Sequence, residues 1–256
     1  MGLSCPDSDV LSAHPGMPLF FLAREDGALT GALALFDPEP HEIEVTALVR
    51  PDRRRQGLFT ALWERARQAV APFRPERALF CVDPACPSGA AVRRRFPLSL
   101  DHSESTLVYD RSTVLPAVES GLVLRPAGEA DLPALTEIAA AAFGDPPEEA
   151  AHILASFRED AHSAVFAACL EGAPVGQIVL RQQEDALYLC SLCIRPDRQG
   201  RGLGRDMLAL SLNQALGRWG GLIRLDVDLE NAAALGLYTG LGFREERRCD
   251  YYALPL

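Results

Sequence analysis

The chain has 256 residues, 48% of them hydrophobic and 23% charged, with a mean hydropathy of +0.02; this composition argues against disordered, collagen-like and membrane-embedded classes. Thirty-five acidic against 25 basic residues give a net charge of −10, which disfavours nucleic acid and anionic lipid as partners, so a polyanionic ligand needs a local cationic or amide-rich site. All 25 basic residues are arginine, which leaves no lysine for Schiff-base chemistry or for acylation.

The first residues, Met1-Gly2-Leu3-Ser4-Cys5-Pro6, lack a basic segment leading into an apolar one. No signal peptide is predicted, Gly2 followed by Pro6 is a poor myristoylation start, and no apolar run nears the ~18 residues of a membrane span. A cytoplasmic location is expected. From Leu19 onward the chain follows a course that recurs 145 places later. Arg50-Pro51-Asp52-Arg53 falls on Arg195-Pro196-Asp197-Arg198, Gly57-Leu58 on Gly202-Leu203, Gly31 on Gly176 and Gly27 on Gly172. One gapless offset over that length marks an internal repeat. Only 18 residues precede Leu19, too few for a strand and two helices, so the first copy is expected to be truncated. The junction is placed in Asp110–Gly121.

The second copy reads more fully. Leu122–Arg125 is a short strand, followed by helical patterns near Asp131–Phe143 and Pro147–Arg158. Ala164–Leu170 and Val175–Arg181 form a hairpin across Glu171-Gly172, and Leu187–Ile194 is a third strand. Met207, Leu208, Leu212, Ala215 and Leu216 share one side of a helix that stops at Trp219-Gly220-Gly221. A strand at Leu222–Val227, a helix at Ala232–Leu241 and a strand at Cys249–Leu254 complete the copy. The predicted fold is α/β (α+β) in two tandem domains, residues 1–115 and 116–256, each a mixed twisted sheet flanked by helices. Seven cysteines, an odd number, do not suggest a disulfide framework. Cys190-x2-Cys193 lies in a strand, where residues three apart face opposite ways and cannot share a metal. Like Cys81-x4-Cys86, it reads as small buried hydrophobes, and no metal is expected.

Chemistry concentrates where a strand meets a helix, at Gln199-Gly200-Arg201-Gly202-Leu203-Gly204. Glycines there let backbone amides approach a ligand, and a helix N-terminus adds about half a positive charge. Arg198, Arg201 and Arg205 supply side-chain cations, and together these form a cradle suited to pyrophosphate. A dinucleotide fingerprint fails, because Arg205 stands where the third glycine would fall and Arg195-Pro196-Asp197-Arg198-Gln199 intervenes between the strand and Gly200. A P-loop needs lysine. A ligand-free glycine turn is the plain alternative.

The loop resembles that of the GNAT acetyltransferase superfamily, Gln/Arg-x-x-Gly-x-Gly/Ala, in the form Gln199-x-x-Gly202-x-Gly204 after Leu192-Cys193-Ile194-Arg195-Pro196. A second motif of the family is similar to Asn231-x-x-Ala234-x-x-Leu237-Tyr238-x-x-x-Gly242-Phe243. Seven residues is nearly two helical turns, which puts Asn231 and Tyr238 on one stripe. Taken alone, they read as an N-cap and a core aromatic. The resemblance implies two tandem GNAT-like domains and acetyl-CoA as co-substrate. Cofactor contacts are then implied from Cys193 and Ile194 on the strand, from Gln199, Gly200, Arg201, Gly202, Leu203, Gly204 and Arg205 on the loop, and from Asn231 to the pantetheine arm. Tyr238 is implied as the acid that protonates the leaving thiolate, and a strand amide near Cys193-Ile194 as the oxyanion donor. Asp226 stands five residues before Asn231, where members of this family that acetylate ribosomal-protein N-termini carry a glutamate. That makes it the candidate base.

The first copy departs from the pattern. Arg54-Arg55-Gln56-Gly57-Leu58-Phe59 ends in Phe59 rather than a small residue, Ser88-x-x-Ala91 stands where Asn-x-x-Ala is expected, and Arg95 takes the tyrosine place. The expected function is N-acetyl transfer from acetyl-CoA to a primary amine, with the active site in the second domain. The acceptor is a small-molecule amine or a peptide N-terminus, with no nucleic-acid or membrane partner. The alternatives are protein N-terminal acetylation, suggested by Leu225-Asp226-Val227 and Tyr251-Tyr252, and a silent acyl-CoA-binding module. The sequence specifies no oligomeric state.

Overall fold

A computed structural model describes residues 14, 16–39, 41–183 and 185–256; Met1–Pro6, read above for targeting signals, lies outside them. The first half contains β1 (Phe20–Glu25), β2 (Ala28–Glu39), β3 (Glu42–Val49), α1 (Leu58–Val70), β4 (Arg77–Val82), α2 (Pro87–Arg95) and β5 (Ser99–Tyr109). The second contains β6 (Val123–Pro126), α3 (Leu132–Phe143), α4 (Pro147–Glu159), β7 (Ser163–Leu170), β8 (Ala173–Gln183), β9 (Ala186–Ile194), α5 (Leu203–Leu216), β10 (Leu222–Asp228), α6 (Ala232–Gly240) and β11 (Phe243–Pro255). The repeat offset holds element by element. β2 and β8, α1 and α5, β4 and β10, and α2 and α6 begin at positions 145 apart. Even the hairpin turns match, with Asp26-Gly27 at φ 49° and 81° and Glu171-Gly172 at 50° and 84°. Two successive positive φ values make the tight turn that suits twisted strands.

The chain packs as two compact units, Met1–Glu104 with Arg248–Leu256, and Ser105–Arg247. The expected segments, 1–115 and 116–256, put Arg248–Leu256 with the second domain; by packing, these residues join the first unit. In that unit the strands run β1-β2-β3-β4 and then the last part of β11. β3 and β4 are parallel and the other pairs antiparallel. α1 covers one face, burying Trp63 and Ala66 against Leu33, Ile43 and Phe80. On the other face Leu22, Ala32 and Leu48 form a cross-strand row, and Leu22 and Leu48 stay exposed.

The second unit runs β10-β9-β8-β7-β6, with β9 and β10 parallel and the rest antiparallel. β8 is buried on both sides from Val175 to Leu180, as a central strand with two covered faces must be. α5 and α6 pack on one face, where Met207, Leu208 and Leu212 meet Ile178, Ile223 and Leu225. α3 and α4 cover the other, where Leu135 and Leu154 meet Val165, Ala167 and Val179. These helices have a clear local grammar. Pro133 sits in the first turn of α3, where its missing N–H costs nothing, and Gly144 closes that helix in the left-handed conformation at φ 83°. The residues between β5 and β6 are tied down by buried Asp206 of α5, which accepts backbone N–H bonds from Glu119 and Ser120 at 3.3 and 3.0 Å.

Where α3 begins, Asp131 accepts a two-pronged bond from Arg125 of β6, at 2.6 and 2.7 Å, and another from the Gly128 amide. The Arg125 bond and the Gly128 amide hold its carboxyl down at about 2. A depressed folded-state value means that this stabilisation is present above the ordinary carboxylate range and is lost as pH falls toward 2. Asp131→Asn is expected to cost roughly 1–2 kcal/mol at neutral pH, since Arg125 is partly in water. Urea unfolding at pH 7 and pH 3 checks it: the wild-type advantage shrinks at the lower pH.

Cys81 of β4 and Cys249 of β11 form a disulfide, with Cα atoms 5.9 Å apart. This corrects the expectation that the cysteines carry no bridge; Cys81 is not an isolated buried hydrophobe. The partners are 168 residues apart and meet only because β11 returns beside β4. Cys190 and Cys193 stay free, and burial pushes their thiols up to about 11 and about 12, so both remain protonated and unreactive. Among the described residues no helix is long and apolar enough to cross a membrane.

Candidate active site

The loop Gln199–Arg205 sits where β9 passes, through a short 3-10 turn at Pro196–Arg198, into α5. Its backbone is set by glycine. Gly200 has φ 72° and Gly202 φ 79°, both left-handed, and a Cβ on either would meet nothing within 4 Å. Gly202 is the N-cap of α5 and no side chain caps the helix. The first intrahelical bond is Asp206 N–H to the Gly202 carbonyl, which leaves the amides of Leu203, Gly204 and Arg205 without an intrahelical acceptor. An uncapped N-terminus approached through open glycines is built to receive an anion. Gln199 braces the loop by donating from Nε2 to the Ile194 carbonyl at 2.9 Å, and Arg201 donates to the Asp197 carbonyl at 3.2 Å. Arg195 and Asp197 bind each other at 2.6 Å, and that bond holds the Asp197 carboxyl below its usual range. Arg205 is exposed and makes no hydrogen bond or ion pair among the described residues.

Two features of β9 open a cleft beside this loop. β9 and β10 pair only at Ala186–Tyr188 with Leu222–Arg224, although β9 continues to Ile194 and β10 to Asp228. Beyond Tyr188 no ladder pair joins their facing edges among the described residues, which leaves those edges free to bind something else. β9 also bulges. Val179 of β8 faces Cys190 and Gln177 faces Cys193, so β9 spends one extra residue, and Ser191 takes φ 48° there. Bulges re-aim backbone groups and gather near active sites. Gly176 permits the close approach, since a Cβ there would lie 2.5 Å from the Cys193 carbonyl oxygen. In the first unit β2 and β3 keep an unbroken register from Gly31↔Val49 to Phe36↔Glu44.

α6 forms the far wall. A Cβ on Gly204 would sit 3.6 Å from Leu237 Cδ2 and 4.0 Å from Ile194 Cγ1, so loop, strand end and helix converge at that glycine. Asn231 caps α6, its side-chain oxygen accepting the Ala234 N–H at 3.0 Å. Tyr238 is 8% exposed, packs edge-on against Phe243, and its hydroxyl bonds to no described residue. Burial raises its phenol above the ordinary value, which keeps it a proton donor at neutral pH. Among the described residues no hydrogen bond or ion pair joins Asp226 to the loop or to Tyr238. Its neighbours Leu225 and Val227 face α5, so strand alternation turns Asp226 toward the α3–α4 side. There it accepts a bond from Thr106 Oγ1 at 2.5 Å, and Arg247 donates to the same hydroxyl at 3.3 Å. Thr106, Gln177 and the Ser191 bulge were not singled out from sequence. Gln177 was findable as the polar residue inside Val175–Leu180.

The first copy repeats the loop contact for contact. Arg54 donates to the Val49 carbonyl at 3.0 Å, Gln56 to the Asp52 carbonyl at 3.2 Å, and Arg50 pairs with Asp52. Gly57 caps α1 at φ 83°. Two sequence correspondences need correction. Cys86 occupies the N-cap position of α2, so Cys86 rather than Ser88 stands for Asn231, and Arg93 rather than Arg95 stands for Tyr238. Arg93 donates to the Tyr252 hydroxyl and lies over its ring at 5.0 Å. Phe59, at the repeat position that corresponds to Gly204, packs edge-on with Phe80 and Phe96 at 6.3 and 6.0 Å.

Residues 132–243 match the model of the Acetyltransferase (GNAT) family. The chain is 32% identical over 261 residues to a mycothiol acetyltransferase of Kineococcus radiotolerans, covering 95% of this chain and 84% of that one. A shorter stretch is 37% identical over 79 residues to the [ribosomal protein bS18]-alanine N-acetyltransferase of Escherichia coli K12, covering 30% of this chain and 51% of that one. The fold is similar to that of a tandem GNAT protein from the clavulanic acid biosynthesis pathway, with TM-score 0.76 and 19% identity over 95% of this chain and 85% of the other.

Proposed function

The chain belongs to the GNAT acetyltransferase family and is an acyltransferase, and from that premise we propose that it transfers the acetyl group of acetyl-CoA to a primary amine, in one active site within Ser105–Arg247. The uncapped, glycine-opened N-terminus of α5 beside the diverging β9 and β10 carries this reading. It offers fixed amide donors to a pyrophosphate and an unpaired strand edge to an extended arm, and the open Cβ positions of Gly200 and Gly202 fit that group. Acetyl-CoA supplies the thioester. The remaining work falls to the chain. The amides of Leu203–Arg205, with Arg201 and Arg205, hold the pyrophosphate. Asn231, whose oxygen is committed to its cap, keeps its amide N–H groups for the pantetheine arm. A backbone amide near Cys193-Ile194 meets the charge that develops on the carbonyl oxygen.

The amine nitrogen forms a bond to the carbonyl carbon, the carbon–sulfur bond breaks, nitrogen loses a proton and the thiolate gains one. Tyr238 supplies the second proton, and Asp226 accepts the first, directly or through water. Asp226→Asn is expected to lower kcat while leaving acetyl-CoA affinity unchanged. Unaltered turnover across pH 6–9 would move the base elsewhere. The function itself is tested by free-thiol release from acetyl-CoA with a panel of amines and short peptides. Amine-dependent release supports transfer, whereas tight acetyl-CoA binding with no release for any acceptor would leave a silent binding module.

A further inference from the structure

We propose that the acceptor is a primary amine on a compact apolar body, received in the cavity between α3, α4 and the β8–β9 bulge, with the side-chain amide of Gln177 fixing the amine. This rests on the acetyl-transfer reading and names its substrate class. The cavity measures about 380 Å³ and is walled by Phe143, Ile153, Leu154 and Phe157, with Gln177 and Ser191 at its floor. Phe143 is 51% exposed, so apolar surface stands open to solvent at the mouth, which an apolar substituent would cover.

The polar anchor is one residue deep. Gln177 is 1% exposed; its Nε2 donates to Ser191 Oγ at 2.8 Å, and its Oε1 has no hydrogen-bond partner among the described residues. Buried acceptors are satisfied almost without exception; Gln177 lines the cavity, and its shielded, orphaned oxygen is repaid when a ligand N–H reaches it. Gln177 lies across the ladder from Cys193, the strand end assigned to the acetyl group. An amine on Gln177 Oε1 is therefore beside the carbon it must attack. Asp145 also lines the cavity and draws the cationic form of an amine inward. A polyhydroxylated amine would bury hydroxyls against Phe143, Ile153 and Phe157 without partners, a costly exchange. The first copy has Ala32 at the corresponding ladder position, and among its described residues no helix stands for α3 or α4.

The test is steady-state kinetics at saturating acetyl-CoA, reading free thiol, with 3-methylbutylamine and 2-phenylethylamine against glucosamine and an alanine-initiated tripeptide. The apolar pair is expected to exceed the hydrophilic pair by about tenfold or more in kcat/KM. Gln177→Met, similar in volume but without the amide, is expected to raise the KM of the apolar amines about tenfold, the worth of one hydrogen bond to a charged group, with the KM of acetyl-CoA unmoved. Ile153→Asp, at the rim, should lower their kcat/KM without touching acetyl-CoA affinity. An enzyme that binds acetyl-CoA but prefers the hydrophilic acceptors overturns the inference on wild-type data alone and leaves acetyl transfer standing. So does an unchanged amine KM in a folded Gln177→Met. Failure of the wild type to bind acetyl-CoA, measured by calorimetry, overturns both.

Discussion

Tyr238→Phe is expected to lower kcat by ~10²–10⁴, the usual contribution of a positioned proton donor, while acetyl-CoA affinity and melting temperature stay near wild type. The substitution removes one oxygen that bonds to no described residue and keeps the ring against Phe243, so packing has little to lose. The pH dependence carries its own sign. Burial raises the phenol above its ordinary value near 10, so the protonated, active form persists through the neutral and mildly alkaline range. The alkaline limb of the wild-type kcat profile should lie above the range of a free phenol and should vanish in the variant. Single-turnover measurement separates chemistry from product release. If the chemical step is unchanged in Tyr238→Phe, the residue is a packing aromatic and the thiolate takes its proton from water.

The repeat carried most of the fold into view from sequence. Glycines and arginines recurring at one offset mark positions where the backbone leaves little choice: Gly57 and Gly202 must be left-handed, and Asp26-Gly27 and Glu171-Gly172 must turn tightly. Such constraints are local, so residue identity reveals them. The Cys81–Cys249 bridge and the return of Arg248–Leu256 beside β4 depend on which strand edges are free, and no local pattern encodes that. The loop and α6 were legible for the same local reason. The shift of the tyrosine place from Arg95 to Arg93 shows the limit. The one glycine of α2, Gly89, falls where α6 has Ala234, so the glycines of the two helices do not align and only the N-cap position at Cys86 pins the register. Gln177 and the Ser191 bulge lay in apolar runs that read as strand core. Their meaning comes from a register slip between β8 and β9 and from helices packed above, both non-local facts.

Gly202→Val is expected to weaken acetyl-CoA binding about a hundredfold or more, the loss of one or two charge-assisted hydrogen bonds, whereas Gly57→Val should leave turnover at the wild-type level. The pair is a matched experiment. Both glycines cap a helix in nearly the same left-handed conformation, φ 79° and φ 83°, and neither would meet a neighbour through an added Cβ. A branched residue at either position carries similar backbone strain, of order 1–3 kcal/mol, so the two variants should lose similar melting temperature. Any difference in turnover then reports the ligand and not the fold. The copies differ in what surrounds the turn. Beside Gly202 the strand bulges at Ser191, a small Gly204 follows, and α6 presents Tyr238. Beside Gly57 the strand is regular, Phe59 fills the next turn against Phe80 and Phe96, and Arg93 is engaged with Tyr252. An anion on the first loop would find amides, but Arg93 stands where the second copy has its phenol. If Gly57→Val lost as much turnover as Gly202→Val while acetyl-CoA still bound the second unit with wild-type affinity, catalysis would not belong to Ser105–Arg247 alone.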